Sequence, residues 1–388
     1  MGITMINKNE FSTHGTSDVL SPVRNFAPAI WRRDDVIARG VFASVPDLER
    51  KLMRYIRQDN KHAVSFPNQS PHSTRMRAGV TETLVWVHRL GRIMHPGMSL
   101  NSMKHQIYLM GKALVSLPNI RKWREGSDNP LRKQALKRHP LVDGAIYWPY
   151  INHTWSMERK LSVIDQHFRM SSGPASIIAH ATFEDIELAR LDEEYTGLRF
   201  VLDKAEWFVH EGEIVLNLFV DDQRLYSIAF TLGVDAGQPL VFVGALQGVN
   251  TAYAKEVYRN ITHSLYGLRP RDLLMTVLKQ LCWELGICRI WAVSSDSRQH
   301  NSTYYGRSHE GKVRVDYNEV WLEHNGVALD NGFFEIPTMA RHRDMSDIPT
   351  RKRAVYRRRY EMLDKLALLI KTCCVEHSEK SLAVDTTI

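Results

Sequence analysis

Cysteine is scarce in this chain: four residues in 388, at 282, 288, 373 and 374. No Cys-x-x-Cys pair occurs among them, so no zinc framework is legible. The usage suits reduced thiols rather than a disulfide-stapled secreted fold. Long hydrophobic runs are missing as well. The opening M-G-I-T-M-I-N-K-N-E-F-S has no apolar core of signal-peptide length, and nowhere are about 18 apolar residues consecutive. A cytoplasmic protein is expected. Also absent are G-x-x-x-x-G-K-[ST], H-E-x-x-H and G-x-S-x-G, which disfavours nucleotide hydrolysis, metalloprotease and serine-esterase chemistry. No metal is expected, and there is no internal repeat or low-complexity tract.

What is there is enough apolar residue for a sizeable core, 44% of the chain, and a net charge of +8. The length predicts two domains, or one large domain with an extension. The basic balance suits an acidic or phosphate-bearing partner.

Composition divides the chain into a polar leader (1–29), a helical N-terminal region (30–139), an α+β domain (140–371) and a tail (372–388). Ser44-Val-Pro-Asp starts one predicted helix, with Leu48, Leu52, Tyr55 and Ile56 on its inner face. Two more are predicted over 81–94 and 103–117. The basic stretch 121–139 carries Gly and Pro and reads as a boundary. An aromatic-rich segment (146–155) and a helix to about 169 follow.

Alternation then predicts strands. Ile214, Leu216, Leu218 and Val220 share one face, and Ile228, Phe230 and Leu232 repeat the pattern after a turn at Asp221-Asp222-Gln223. Residues 239–246 are almost wholly apolar, as in a central strand covered on both faces. Asn250 or Thr251 can cap a helix with stripe Ala254, Val257, Ile261 and Leu265. A second helix runs from Pro270 to Leu285 and is closed by Gly286. Ile290 to Val293 is another buried strand. The fold class is α+β, with a mixed, mainly antiparallel central sheet flanked by helices and a helical N-terminal region.

The junction Y-G-L-R-P-R-D-L-L (266–274) is unusual. Pro270 at the first helical position leaves Arg269 as N-cap, and arginine cannot accept a bond from the first-turn amides. Water can serve them, and so can a phosphate, with Arg269 and Arg271 adding charge-assisted bonds. Asp272 in the same turn competes for that role. The strand–helix–strand order resembles the core of the acyl-CoA N-acyltransferase superfold, in which a helix N-terminus beside a splayed strand pair grips coenzyme A. Tyr304-Tyr305-Gly306 fits that pattern loosely. The chain departs from it in having an extra helix (251–265) and only Gly267 before the basic pair.

A second resemblance is more specific. V-G-A-L-Q-G (243–248), H-S-L-Y-G-L-R-P-R-D-L-L (263–274), A-V-S-S-D-S-R-Q-H (292–300), D-Y-N-E-V-W (316–321) and I-P-T-R-K-R-A-V-Y-R-R-R-Y (348–360) occur in this order. Together they resemble the VirK/YbjX family of Gram-negative bacteria over roughly residues 100–370. The resemblance implies links to virulence, to surface localisation of an outer-membrane protein and to antimicrobial-peptide resistance. It brings no settled reaction.

Other residues complete the expected site. Gln247 and Gly248 end the central strand, where ligands gather in α/β sheets or where a turn simply begins. His300 sits in a polar loop with Ser294, Ser295 and Asn301 and suits a general base or a solvated loop residue. Asp316, with Tyr317 and Trp321, orients such a histidine or starts a helix. Glu335 is a second candidate base. Between Arg341 and Arg359 there are eight Arg/Lys against two Asp, with Val355, Tyr356, Met362, Leu363 and Leu366 expected inward and Arg357 and Arg358 outward. That face is solvated, or binds nucleic acid or an anionic membrane surface.

The expectation is an acyltransferase-like enzyme with His300 as base. A phosphate-bearing donor would lie against Gly267, Leu268, Arg269, Arg271, Gln247 and Gly248. Acyl-CoA, acyl carrier protein or aminoacyl-tRNA would be the donor, and an amine or hydroxyl the acceptor. The alternative is a non-enzymatic factor that supports localisation of an envelope protein through the basic C-terminal helix.

Overall fold

The structure is a computed structural model that describes residues 71–126, 128–249, 251–305, 316–339 and 343–385. The leader, the helix expected from Ser44 and Gly306 lie outside the described residues. The chain forms two compact units, which interleave in sequence.

The described part of the first unit takes in 71–126, 140–148 and 302–305. Its helices are α1 (Pro71–Met94), α2 (Leu100–Val115) and α3 (Leu117–Glu125). Leu84, Val87 and Leu90 of α1, Leu109 and Ala113 of α2, and Ile120 and Trp123 of α3 are buried. Trp123 Nε1 donates to Asp143 Oδ1 at 2.8 Å, so the one polar atom of that ring is satisfied inside the core. Gly144 has no side chain because the Trp148 ring lies where its Cβ would be, at 2.3 Å.

The second unit holds α4 (Pro130–Arg138), α5 (Met157–Met170), α6 (Ser176–Ala181) and the whole sheet. Its strands are β1 (Ile186–Arg190), β2 (Leu198–Asp203), β3 (Ile214–Val220), β4 (Gln223–Asp235) and β5 (Gln238–Gly248). Then come α7 (Ala252–Ser264), α8 (Pro270–Glu284), β6 (Arg289–Val293) and α9 (Tyr317–Glu323). Last are β7 (Val327–Ala328), β8 (Phe333–Pro337) and α10 (Thr350–Asp385). This division differs from a single cut at 139/140. Arg132 of α4 is 4% exposed and ion-paired to Asp165 of α5, and such a long-range tie leaves no compositional mark. The segment 372–388, expected as a tail, supplies the last turns of α10 through Asp385.

The sheet is eight-stranded in the order β1-β2-β3-β4-β5-β6-β8-β7, and every pairing but β5–β6 is antiparallel. The fold is therefore α+β with a mixed, mainly antiparallel sheet. Two-residue turns join β3 to β4 and β4 to β5; Ala236 and Gly237 of the second turn both have positive φ (48° and 78°), the signature of a twist-matched hairpin. The parallel β5–β6 pair needs a crossover, which α7 and α8 supply. Residues 240–243 of β5 are fully buried, as their unbroken apolar run predicts. Ala254, Val257, Ile261 and Leu265 are the buried stripe of α7, and Thr251 caps it by accepting from Ala254 N at 3.0 Å. No helix among the described residues is long and apolar enough to cross a membrane.

One buried ion pair organises the middle of this unit. Glu213, at the start of β3, is 1% exposed and meets Lys204 Nζ at 2.7 Å; the Lys204 side chain is 7% exposed. The other Glu213 oxygen accepts from Tyr150 Oη at 3.1 Å, and Tyr150 Oη also lies 2.7 Å from Thr231 Oγ1 on β4. Burial alone would raise the Glu213 pKa, but Lys204 and then His167 outweigh it and hold the carboxyl below its usual range. Replacing Lys204 with Met strands that carboxylate in the core. The variant is expected to lose about 3–5 kcal/mol of unfolding free energy at neutral pH in urea titrations. A group with a lowered folded pKa stabilises above its unfolded range and stops doing so as pH falls through the folded value. The gap between wild type and variant is thus expected to close toward acid pH.

Candidate functional site

The parallel strands β5 and β6 pair at only three positions, Val241–Ile290, Phe242–Trp291 and Val243–Ala292. β6 ends at Val293, while β5 runs on to Gly248 with β4 as its sole strand partner. At the point of departure β5 carries one extra residue, Gly244, between the Ala245–Ala229 and Val243–Phe230 rungs. A Cβ at Gly244 would lie 2.0 Å from the Glu211 carbonyl oxygen, so glycine lets the 210–213 segment lie directly on the bulge.

The open edge of β5 is closed by one side chain. Tyr317, at the start of α9, accepts from Leu246 N at 2.8 Å and donates to Leu246 O at 2.9 Å. Its ring is buried, and the Arg298 guanidinium stacks on it at 3.7 Å. Arg298 and Gln299 are each 9% exposed. Gln299 Nε2 donates to Glu211 Oε1 at 2.9 Å.

Three buried polar atoms here have no hydrogen-bond partner among the described residues: Glu211 Oε2, Arg298 Nη1 and Gln299 Oε1. Native interiors rarely leave such groups unpaired, so this cluster is completed by water or by a polar ligand. Burial pushes the Glu211 carboxyl up to about 7, against the opposing pull of the Gln299 bond and the Arg298 charge. A carboxyl poised near neutrality beside a cation and an amide is equipped for proton transfer.

His300 lies half-buried on the short turn Gln299–Asn301, next to these groups. Beside it, Glu211 carries the unpartnered buried carboxylate oxygen. It escaped the sequence reading because it stands 87 residues before Arg298 in an unpatterned H-E-G-E loop. Its only sequence trace is an acidic residue flanked by strongly apolar strands. Asp316 does not orient a histidine: its side chain caps α9 by accepting from Asn318 N at 2.8 Å and from Ser295 Oγ at 2.7 Å. Glu335 is held by Arg289 Nε at 3.1 Å across β6–β8, a structural pair.

The expected anion site is differently furnished. Arg269 is the N-cap of α8 and receives no side-chain bond from the helix, as its chemistry dictates. Both arginines, however, are met by carboxylates. Arg269 donates to Asp272 Oδ2 at 2.6 Å and to Glu323 Oε2 at 2.7 Å, and Arg271 pairs with the same two residues. Burial would raise the Asp272 carboxyl, but His324, then Arg269, hold it down at about 2. Gly267 (φ 80°) and Tyr266 (φ 54°) form the reversal that ends α7, with Gly267 N donating to Thr262 O at 2.8 Å. Leu268 continues it, its amide donating to Leu265 O at 3.0 Å. Arg359 of α10 donates to the Tyr266 carbonyl.

Gln247 and Gly248 are exposed at the β5 end. The Tyr226 ring occupies the space where a Gly248 Cβ would sit, at 2.4 Å. The Tyr226 hydroxyl also lies in the field of Arg271, Asp272 and Arg269. Tyr226 therefore links the strand end to the arginine pair, two features that the sequence separates by more than 20 residues. On α10, Met362 and Leu366 are buried, whereas Val355, expected inward, is 43% exposed. Arg351, Lys352, Arg357 and Arg358 are exposed and form no ion pair among the described residues.

A second polar cluster lies in the first unit. His95 and His105 stack at 4.5 Å, His105 Nδ1 lies 3.3 Å from Tyr147 Oη, and Tyr304 packs on Tyr147 at 5.2 Å. Burial, then the neighbouring His105, drives His95 down to about 3, so both rings are neutral at physiological pH.

Residues 99–372 match the family described as Protein of unknown function (DUF535). The chain is 27% identical over 268 residues to the uncharacterized protein YbjX of Escherichia coli (strain K12), covering 67% of this chain and 80% of that one. Two uncharacterized proteins of Haemophilus influenzae are also similar. One is 31% identical over 253 residues (62% of this chain, 82% of that one), the other 25% over 228 residues (57% and 74%). No solved structure matches.

Two outcomes test the site's construction. Tyr317→Phe unpairs both polar groups of Leu246 and is expected to lower stability by roughly 1–3 kcal/mol in chemical denaturation. A carboxyl whose folded pKa is raised favours the folded state less as pH rises from the unfolded value toward the folded one. Wild-type stability is therefore expected to decline between about pH 4.3 and 7 through Glu211. In Glu211→Gln that decline shrinks by on the order of 2–3 kcal/mol, read from unfolding curves across that range.

Proposed function

This chain belongs to the DUF535 family of VirK/YbjX-like proteins, and we propose that it is an acyltransferase whose general base is Glu211. The observation that carries the reading is the unpartnered Glu211 oxygen beside the unpartnered Arg298 and Gln299 atoms, at the bulge where β5 leaves β6. The proposed substrates are a thioester or ester donor and an amine or hydroxyl acceptor. Gln299 Oε1 accepts from one N–H of an amine acceptor and orients it, leaving the other N–H for Glu211; a hydroxyl acceptor gives its single proton to Glu211 directly. Glu211 takes the proton as the acceptor's lone pair forms a bond to the acyl carbon. Arg298 Nη1 donates to the oxyanion that develops on the carbonyl oxygen. The bond from the acyl carbon to sulfur or oxygen then breaks, and the leaving group takes the proton from Glu211.

The sheet order supports the same reading: the parallel pair β5–β6 parts after three rungs in a mainly antiparallel sheet, and an extended donor would lie against the β5 end beyond that point. The donor's phosphates would lie near Gln247, Gly248, Arg269 and Arg271, around Tyr226, with Glu323 giving way to them. Acyl-CoA, acyl carrier protein and aminoacyl-tRNA are the donor classes, used in the cytoplasm, and an envelope lipid, peptide or protein is the acceptor class.

One observation favours a second reading. The unpaired cations Arg351, Lys352, Arg357 and Arg358 present a basic face on α10 that suits an acidic partner without chemistry, as in a factor that helps localise an envelope protein.

Thermal shift against the three donor classes separates the readings. On the acyltransferase reading one class raises the melting point, and Arg269→Ala/Arg271→Ala, verified as folded, abolishes the shift; it also lowers the baseline melting point, since Arg271 and Asp272 are only 20% and 18% exposed. With that donor, Glu211→Gln is expected to slow transfer by about 10²–10⁴ and to remove a rate limb centred near pH 7. No shift with any donor in a folded protein rejects the enzyme and leaves the basic face.

A further inference from the structure

Away from the Glu211 cluster, α8, α10 and residues 338–339 line a half-open pocket of about 260 Å³, just under the roughly 300–1,000 Å³ of common small-molecule sites. Its walls are Val277, Leu366 and Ile370, all buried, with Trp283 and Met339 60% and 69% exposed at its mouth. One cation lines it. Lys279 is 8% exposed, yet it makes no hydrogen bond or ion pair among the described residues. Asp364 also lines the cavity but is exposed and forms no ion pair with Lys279. The stem is buried, while Nζ is not among the fully enclosed unpartnered polar atoms and stays open to the pocket. Burial lowers the Lys279 pKa, as expected for an ammonium that lacks a protein counter-ion.

We propose that this cavity is a binding site for a medium-chain fatty acid. The carboxylate pairs with Lys279, and the alkyl chain lies along Val277, Leu366 and Ile370 toward Trp283 and Met339. Charge complementarity selects the head group: an apolar slot with a single unpaired ammonium favours an anion-headed chain over an alcohol or an amine. The site is separate from the acyl-transfer reading and does not depend on it.

Isothermal titration of the full chain with decanoate and with decanol is the test. Decanoate is expected to saturate one site with Kd below ~1 mM, and decanol to bind at least about tenfold more weakly. Lys279→Met keeps the apolar stem and removes the charge. It is expected to hold or raise the melting point, to weaken decanoate at least tenfold and to leave decanol unchanged. Ala367→Phe, which narrows the slot from α10, is expected to weaken both ligands. Equal affinity for decanoate and decanol, unchanged decanoate binding in Lys279→Met, or no saturable decanoate binding in a folded wild type would each overturn the assignment.

Discussion

The second unit depends on the buried pair Glu213–Lys204. The pair satisfies a charge that would otherwise cost several kcal/mol in the core, and it does so at a crossing of elements. Lys204 follows β2, Glu213 opens β3, Thr231 belongs to β4, and Tyr150 comes from the segment before α5. His167 of α5 adds to the same field and accepts from Leu232 N of β4 at 3.2 Å. Each partner is correct only if the others are in place, so the network selects one register for three strands. Glu211 precedes that anchor by two residues, and its position on the bulge follows from it.

The sheet then sets up the candidate chemistry through a mismatch of lengths. β5 has 11 residues and β6 only five, and their pairing stops after three. A strand edge with no partner must be paired or covered, and here Tyr317 covers it. The same ring supports Arg298, which brings Arg298 and Gln299 to Glu211. Backbone satisfaction and site assembly are therefore one arrangement. The carboxylates opposite Arg269 and Arg271 stabilise the arginine pair from within the chain, through Asp272 and Glu323.

Much of the fold was readable from the chain. The 3.6-residue stripe of α7, the proline start and glycine stop of α8, and the continuous apolar run of β5 reflect local rules that hold wherever the segment packs. The hairpin at Asp221 was readable for the same reason. Val355 was misplaced because α10 is long and only part of its apolar stripe meets the core. Of the two roles open to Asp316, the structure shows the helix start, which needs only its neighbours. Glu211 was invisible because nothing local distinguishes it from the Asp and Glu residues of exposed loops.

The sequence by itself determined the element types, the caps, the family motifs and the basic character of α10, since each is written in residues near one another. Only the tertiary structure decided which charges are spent and which are free. Arg269 and Arg271 are neutralised by Asp272 and Glu323, and Glu335 by Arg289, whereas Glu211 and Arg298 keep unpartnered atoms inside the protein and Lys279 has no ion pair among the described residues. Whether a charge is paired depends on residues tens to hundreds of positions away, and burial converts the unpaired ones into groups able to bind or to move a proton.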